Sequence, residues 1–306
     1  MAAGRGKNRY AEWIGDPVVP PAPSSIDLHT HTRRSDGVLE PVELVRQAVA
    51  AGVRQLAITD HDTLAGVREL MAGANVPEGL ELIAGVEINA VADGREGFWE
   101  GELHLLGFGM DVDDDAFEAA LRGQREQRRR RFERILERLR RLGMPIDDVI
   151  ETMPIADDDA LGRPTIARAL IAKGHAASVE DAFRRWLGHG MPAWAPRDGL
   201  GPHGAIAAIR AAGGVPVLAH FGEARERYLV VQELIDHGLA GLEVHYRNWG
   251  RATIDAVSEA ADKLRLLRTG GTDYHGDLGP YGEAHAGLWV PPAVGERLRE
   301  AIAAAA

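Results

Sequence analysis

The chain contains no cysteine, which removes disulfides, thiolate metal ligands and a cysteine nucleophile together. Any metal site must be built from His, Asp or Glu, a donor set that suits Mn, Fe, Zn or Mg rather than thiolate-bound clusters. No run approaches the roughly 18–20 uninterrupted apolar residues of a membrane-spanning helix. The first 25 residues also lack a basic start followed by an apolar core; Pro17, Pro20, Pro21 and Pro23 lead into Ser24 and Ser25. Residues 1–24 therefore read as an extended N-terminal lead-in, and a cytoplasmic location without membrane contact is the default expectation. Positive charge is short as well: 35 Lys and Arg against 46 Asp and Glu leave a net charge of −11 with His neutral. Such a balance argues against a broad basic face for long nucleic acid, DNA included. It leaves small phosphorylated substrates open, because a few divalent cations cancel much of the charge locally.

What is present is a chain of 306 residues, 45% hydrophobic, enough to bury a large core and within the range of a single α/β barrel. Strand-like and helix-like segments alternate. The strands are SIDLHTH (25–31), RQLAITDHD (54–62), LELIAGVEI (80–88), GELHLLGFG (101–109), GVPVLAH (214–220), AGLEVHY (240–246) and LRLLRTGGTDYH (264–275). Seven short, largely apolar strands joined by helices predict a parallel barrel or doubly wound sheet. From 112 to 195 the pattern is helical throughout, which predicts an all-helical insertion after the fourth strand, with the barrel formed by 25–111 and 196–306.

His29 and His31 lie two apart on a strand and so face the same way. One such pair is a weak signal, but it recurs in kind. The other strands carry Asp60-His61-Asp62, Glu87, His104, His220, Glu243 with His245, and Asp273 with His275. Each places a hard or borderline ligand at or near a strand's C-terminal end, where parallel barrels keep their active sites. A lone His is more often a core residue and a lone Asp more often a helix cap; Asp62 is read that way. Seven coincidences are another matter, because uncompensated ionisable groups crowded together cost several kcal/mol each, and cations remove that cost.

DLHTHTRRSDG, ITDHD, GVEI, HLLGFG, LAH and GTDYH, in that order, resemble the successive motifs of the PHP (polymerase and histidinol phosphatase) family. The resemblance implies a distorted (β/α)7 barrel and a metal-dependent phosphoesterase. It also implies three divalent metal ions, Mn first and Fe or Zn as alternatives. His29, His31, Glu87 and Asp273 would hold one ion. Glu87 would bridge to a second, shared with His104 and His220. Asp36, His61 and His275 would hold the third. Water activated by the cations would attack phosphorus. His245 is the candidate acid for the leaving group, while Glu243 and His245 are also candidates to orient ligands.

The helical segment resembles that of the subgroup acting on nucleoside 3′,5′-bisphosphates or the 5′ ends of short RNA. Arg163 and Thr165 in GRPTIARAL are the candidate substrate-binding residues, Thr165 standing where the subgroup's motif has His. Glu223 follows His220 where many relatives carry a basic residue. The alternative is a phosphatase or cyclic phosphodiesterase for a non-nucleotide ester; deaminase chemistry on a similar barrel is disfavoured by the Asp36, His61 and His275 set. No protein partner is expected. Nine Arg and three Glu fall between 125 and 141. With Arg130, Arg134 and Arg138 on one helix face, the stretch reads as a solvated surface in preference to a funnel for nucleotides, since only Phe132 interleaves it.

Overall fold

In the computed structural model, the structure describes residues 23–73, 76–93, 100–276 and 279–306. Nearly all of the N-terminal lead-in, 1–22, lies outside the described residues. Seven strands form one sheet in sequence order: β1 (Ile26–Asp27), β2 (Gln55–Ile58), β3 (Glu81–Asp93), β4 (Glu100–Phe108), β5 (Val215–Leu218), β6 (Gly241–Tyr246) and β7 (Leu267–Gly271). Helices α1 (Pro41–Ala50), α2 (Ala65–Ala72), α7 (Pro202–Ala211), α8 (Tyr228–Asp236) and α9 (Arg251–Leu264) accompany them, with α10 (Tyr281–Ala286) and α11 (Pro292–Ala305) last. α1, α7 and α11 open with proline in the first turn, where its missing N–H costs nothing. β2 and β5 are buried along their whole length, as strands covered on both faces must be.

One strand departs from the all-parallel expectation. β4 runs antiparallel to both β3 and β5, with His104 opposite Asn89 and Phe108 opposite Val215. β4 therefore descends from the mouth, and His104 reaches the mouth from mid-strand and not from a strand's C-terminal end. Strand polarity leaves no mark on side-chain alternation, because the period is two in either direction.

The sheet closes between its ends. Thr30 bridges Tyr274 in parallel, Asp273 N donates to the His29 carbonyl at 2.8 Å and His31 N to the Tyr274 carbonyl at 3.0 Å. Beneath this seam the buried Asp27 carboxylate accepts from Thr272 N (2.9 Å), Thr272 Oγ1 (2.7 Å) and Tyr281 Oη (2.7 Å). Gly271 is required here by close approach: a Cβ would stand 2.4 Å from His29 Cβ and 2.5 Å from His29 N.

Between β4 and β5 come α3 (Asp115–Arg141), α4 (Asp147–Ile150), α5 (Arg163–Ala172), α6 (Val179–Ala182) and a π-helical turn, Phe183–Leu187. Asp114 caps α3 by accepting from Phe117 N at 2.6 Å. These helices bury their own apolar cluster, including Phe132, Ile135, Leu139, Ile166, Leu170 and Leu187. It is distinct from the main core around Leu56, Ile58, Val86, Leu105, Leu218 and Leu242. Among the described residues no helix is long and apolar enough to cross a membrane.

Replacing Gly271 by Ala should force the β1–β7 seam apart at backbone atoms that cannot rotate away. We expect a loss of about 1–3 kcal/mol, the usual cost of overpacking, read by urea unfolding. Wild-type stability in G271A would refute this account of closure.

Candidate metal centre

Ligand-type side chains from six strands and their following loops converge on Glu87, which is fully buried in β3. Its Oε2 lies 3.3 Å from His29 Nε2, 3.2 Å from His31 Nε2 and 2.9 Å from His61 Nδ1. Its Oε1 lies 2.5 Å from His104 Nδ1 and 3.1 Å from His220 Nε2. Asp273 Oδ1 sits 3.4 Å from His29 Nε2 and 3.1 Å from His31 Nε2. Asp36 reaches His275 Nε2 at 3.1 Å and His61 Nε2 at 3.5 Å. All nine residues expected as ligands from the sequence are thus brought to one place.

Their donor atoms fall into three overlapping sets with metal-ligand spacing. His29, His31, Glu87 and Asp273 form one, as the resemblance implied. Asp36, His61 and His275 form another, joined by His31. The third contains His61, Glu87 and His104, so His61 as well as His220 lies beside the Glu87–His104 pair.

Only some of these donor atoms satisfy one another, Glu87 Oε1 with His104 and His220 among them. His29 Nε2, both nitrogens of His31, Asp36 Oδ1, His61 Nδ1 and Glu87 Oε2 are buried without a hydrogen-bond partner. Buried polar atoms are ordinarily paired, and each exception needs a cause. Lone pairs aimed at a common point from imidazole and carboxylate are what a divalent cation requires, so these residues fit a metal.

The local backbone is shaped to make this possible. His220 (φ 32°) and Asp273 (φ 50°) both lie in the left-handed region directly after their strands, a cost of order 1–3 kcal/mol that functional sites often carry. Asp60 shapes the loop bearing Asp36, accepting from Thr32 N, Thr32 Oγ1 and Ser35 Oγ, each at 2.7 Å. Glu243 supports the ligands from behind. Its Oε1 takes the His29 Nδ1 proton at 2.9 Å and its Oε2 accepts from His220 N at 2.7 Å. That leaves His29 Nε2 facing the cluster.

His245, the expected acid, is placed elsewhere. A β-bulge between Glu243 and His245 breaks the two-residue alternation of β6. His245 then lines a small cleft with Arg247, Trp249 and Trp289. Burial and the nearby Arg268 lower its pKa to about 4, so it is uncharged at neutral pH. Tyr246 takes the place at the mouth instead, its hydroxyl donating to Asp273 Oδ2 at 2.9 Å. Sequence reading missed it because only the bulge turns residue 246 inward.

The Arg-rich helix also differs from its expected solvated face. Arg130 and Arg134 are exposed, but Arg125, Arg128 and Arg131 are buried. Their spacing of three is as helical as the spacing of four. Asp62, read as a helix cap, is instead the anchor for this face. It accepts from Arg128 Nε at 2.5 Å and Arg197 Nη2 at 2.6 Å, while Leu64 caps α2 without a side-chain bond. Arg131 lies 3.2 Å and Arg163 3.8 Å from Glu102, two residues before His104 on β4. Arg131 Nη2 is buried without a hydrogen-bond partner. Burial and the adjacent Arg163 lower the Arg131 pKa to about 9. Thr165 is buried in the first turn of α5. Glu223 pairs with Arg227 at the surface and brings no charge to the mouth.

Burial opposes a proton on His275, but Asp36 and Asp273 outweigh it and push its pKa up to about 10. Burial likewise opposes ionisation of Asp36, and His61 and His275 hold it well below the usual carboxylate range. A raised folded-state pKa stabilises below the unfolded value and is lost as pH rises through the folded one. Metal-free protein should therefore lose stability progressively from pH 6.5 towards 10. His275→Gln should make that slope shallower in urea unfolding with EDTA; an unchanged slope would reject the assignment.

Comparison with known proteins finds relatives along most of the chain. The chain is 33% identical over 277 residues to the 5′-3′ exoribonuclease Rnm of Escherichia coli, covering 88% of this chain and 90% of the relative. It is 30% identical over 263 residues to the 3′,5′-nucleoside bisphosphate phosphatase of Chromobacterium violaceum, covering 82% and 87%. A crystal structure from Bifidobacterium adolescentis, named a metal-dependent phosphoesterase, superposes with a TM-score of 0.80 at 32% identity, covering 92% of this chain and 97% of its own. The PHP domain match extends over residues 27–247, and the chain belongs to the PHP domain family.

Proposed function

We propose that this PHP-family phosphoesterase hydrolyses phosphate esters of small nucleotides (nucleoside 3′,5′-bisphosphates) or of the 5′ ends of short RNA, using three divalent cations, Mn first among them. The observation that carries the reading is the set of buried, unsatisfied donor atoms around Glu87. His29, His31, Glu87 and Asp273 hold one cation; Glu87, His104 and His220 a second; Asp36, His61 and His275 the third. Bound there, divalent cations neutralise phosphoryl oxygens and acidify water.

The remaining residues hold and orient. Glu243 keeps His29 in one tautomer. Tyr246, beside Asp273, is placed to hydrogen-bond a phosphoryl or leaving oxygen. Arg131 and Arg163 supply cationic character beside the mouth, and an Arg fork suits a phosphate that does not react. The names of the two curated relatives support a substrate with a nucleotide portion, and a non-reacting phosphate gives the Arg pair a purpose.

A screen of Mn-loaded protein for released phosphate, mononucleotide or monoester should place nucleoside 3′,5′-bisphosphates or 5′-phosphorylated RNA above sugar and cyclic phosphates. A preference for sugar phosphates would sink the nucleotide assignment. His31→Ala or Asp273→Ala should lower kcat by roughly 10³-fold or more with the fold retained, the equivalent of several kcal/mol of lost charge stabilisation. Near-normal turnover in either would defeat the proposal. Arg163→Ala should reduce kcat/KM for a bisphosphate by about 10–100-fold, as for a lost charge-assisted contact, with a simple monophosphate ester little affected. Equal losses on both substrates would remove Arg163 from substrate recognition.

A further inference from the structure

One stretch of the helical insertion, residues 154–168, lies against the two loops that follow β1 and β2. Those loops carry Asp36 and His61. Arg33 Nη1 donates to the Pro154 carbonyl at 3.0 Å, and Ala160 N donates to the Arg34 carbonyl at 2.8 Å. Arg168, in α5, donates from Nη2 to the carbonyl of Asp36 itself at 2.9 Å. Gly162, just before α5, comes so close that a Cβ there would stand 3.4 Å from Asp36 Oδ2. On the second loop, Thr63 Oγ1 donates to the Asp158 carbonyl at 2.9 Å.

Asp36 depends on such contacts because residues 31–40 lie outside any strand or helix. Asp60 holds the loop from the barrel side, and Arg168 holds it from the insertion side. Val38 N in turn donates to the His275 carbonyl at 2.9 Å, so the same loop is joined to the third member of the Asp36, His61 and His275 set. One donor atom from each of these three falls within 4.8 Å of the others, and Asp36 Oδ1 is buried without a hydrogen-bond partner. A ligand fixed by its backbone before an ion arrives gives up less freedom on binding. Removing outer contacts that orient ligands commonly costs about 10–100-fold in metal affinity.

We propose that the insertion assembles the third cation site, with Arg168 as a positioning residue that holds Asp36 through its carbonyl. The affinity for that ion is then set by a module outside the barrel, whereas Glu87 and the strands that surround it belong to the barrel. Arg163 and Arg168 share α5, so the helix carrying the candidate phosphate-binding Arg also holds a cation ligand in place. This rests on the three-cation reading of the mouth and adds to it a reason why one of the three sites depends on how the insertion is seated.

Manganese bound per chain, measured after dialysis against micromolar manganese, tests it in wild type and in Arg168→Met, which keeps a long stem and removes the donors. Wild type should hold three ions and the variant two. The manganese concentration giving half-maximal phosphoesterase activity should rise about 10–100-fold in the variant, with kcat recovered at saturating manganese. Thr63→Val, on the other loop, removes the bond to Asp158 and should lose the same ion if Arg168→Met folds poorly. Equal manganese content in wild type and both variants would overturn the proposal. So would loss of all three ions together, which would leave Arg168 a part in the fold alone. Fewer than three ions in wild type would instead refute the three-cation reading, and this inference with it.

Discussion

The buried carboxylate of Glu87 is the constraint to which the rest of the molecule answers. Five imidazoles from four different places in the chain lie within hydrogen-bonding or ion-pairing distance of its two oxygens. Taking such a group out of water costs several kcal/mol unless opposite charge surrounds it, and imidazoles alone supply that only while protonated. The barrel is therefore built so that strands far apart in sequence end at one depth. The seam beneath, held by Asp27, Thr272 and Tyr281, keeps that depth by locking the last strand to the first.

Support extends outward from Glu87 in layers whose chemistry alternates. Carboxylates behind the imidazoles, such as Glu243 behind His29, set tautomers. Arginines behind Asp62 and Glu102 neutralise those acids. Arg128 and Arg131 are thus drawn inward by specific acids, while Arg130 and Arg134 on the same helix stay at the surface.

Much of this was legible in the sequence. Strand alternation keeps His29 with His31 on one face, and most of the other candidates stand at or near the end of a strand-like run, while the full set of nine, Asp36 included, came from the motif resemblance. Three features were not. The direction of β4 leaves no trace in a two-residue period. The bulge between Glu243 and His245 exchanges His245 for Tyr246 at the mouth, and no composition signal marks a bulge there. On α3, spacings of three and of four both describe a helical stripe, so the choice between the buried Arg125, Arg128 and Arg131 and the exposed Arg130 and Arg134 depended on where Asp62 and Glu102 would stand.

The antiparallel β4 has one more consequence. It ends on the floor of the barrel at Phe108, hydrogen-bonded next to Val215 where β5 begins, so everything between departs from and returns to a single point. An excursion of roughly 100 residues closed by a pair of adjacent strands adds little more closing entropy than a much shorter one, since each doubling of length costs only about 0.6 kcal/mol. The part of the excursion that buries an apolar cluster of its own can therefore change length while the pairing of β4 with β5 stays as it is.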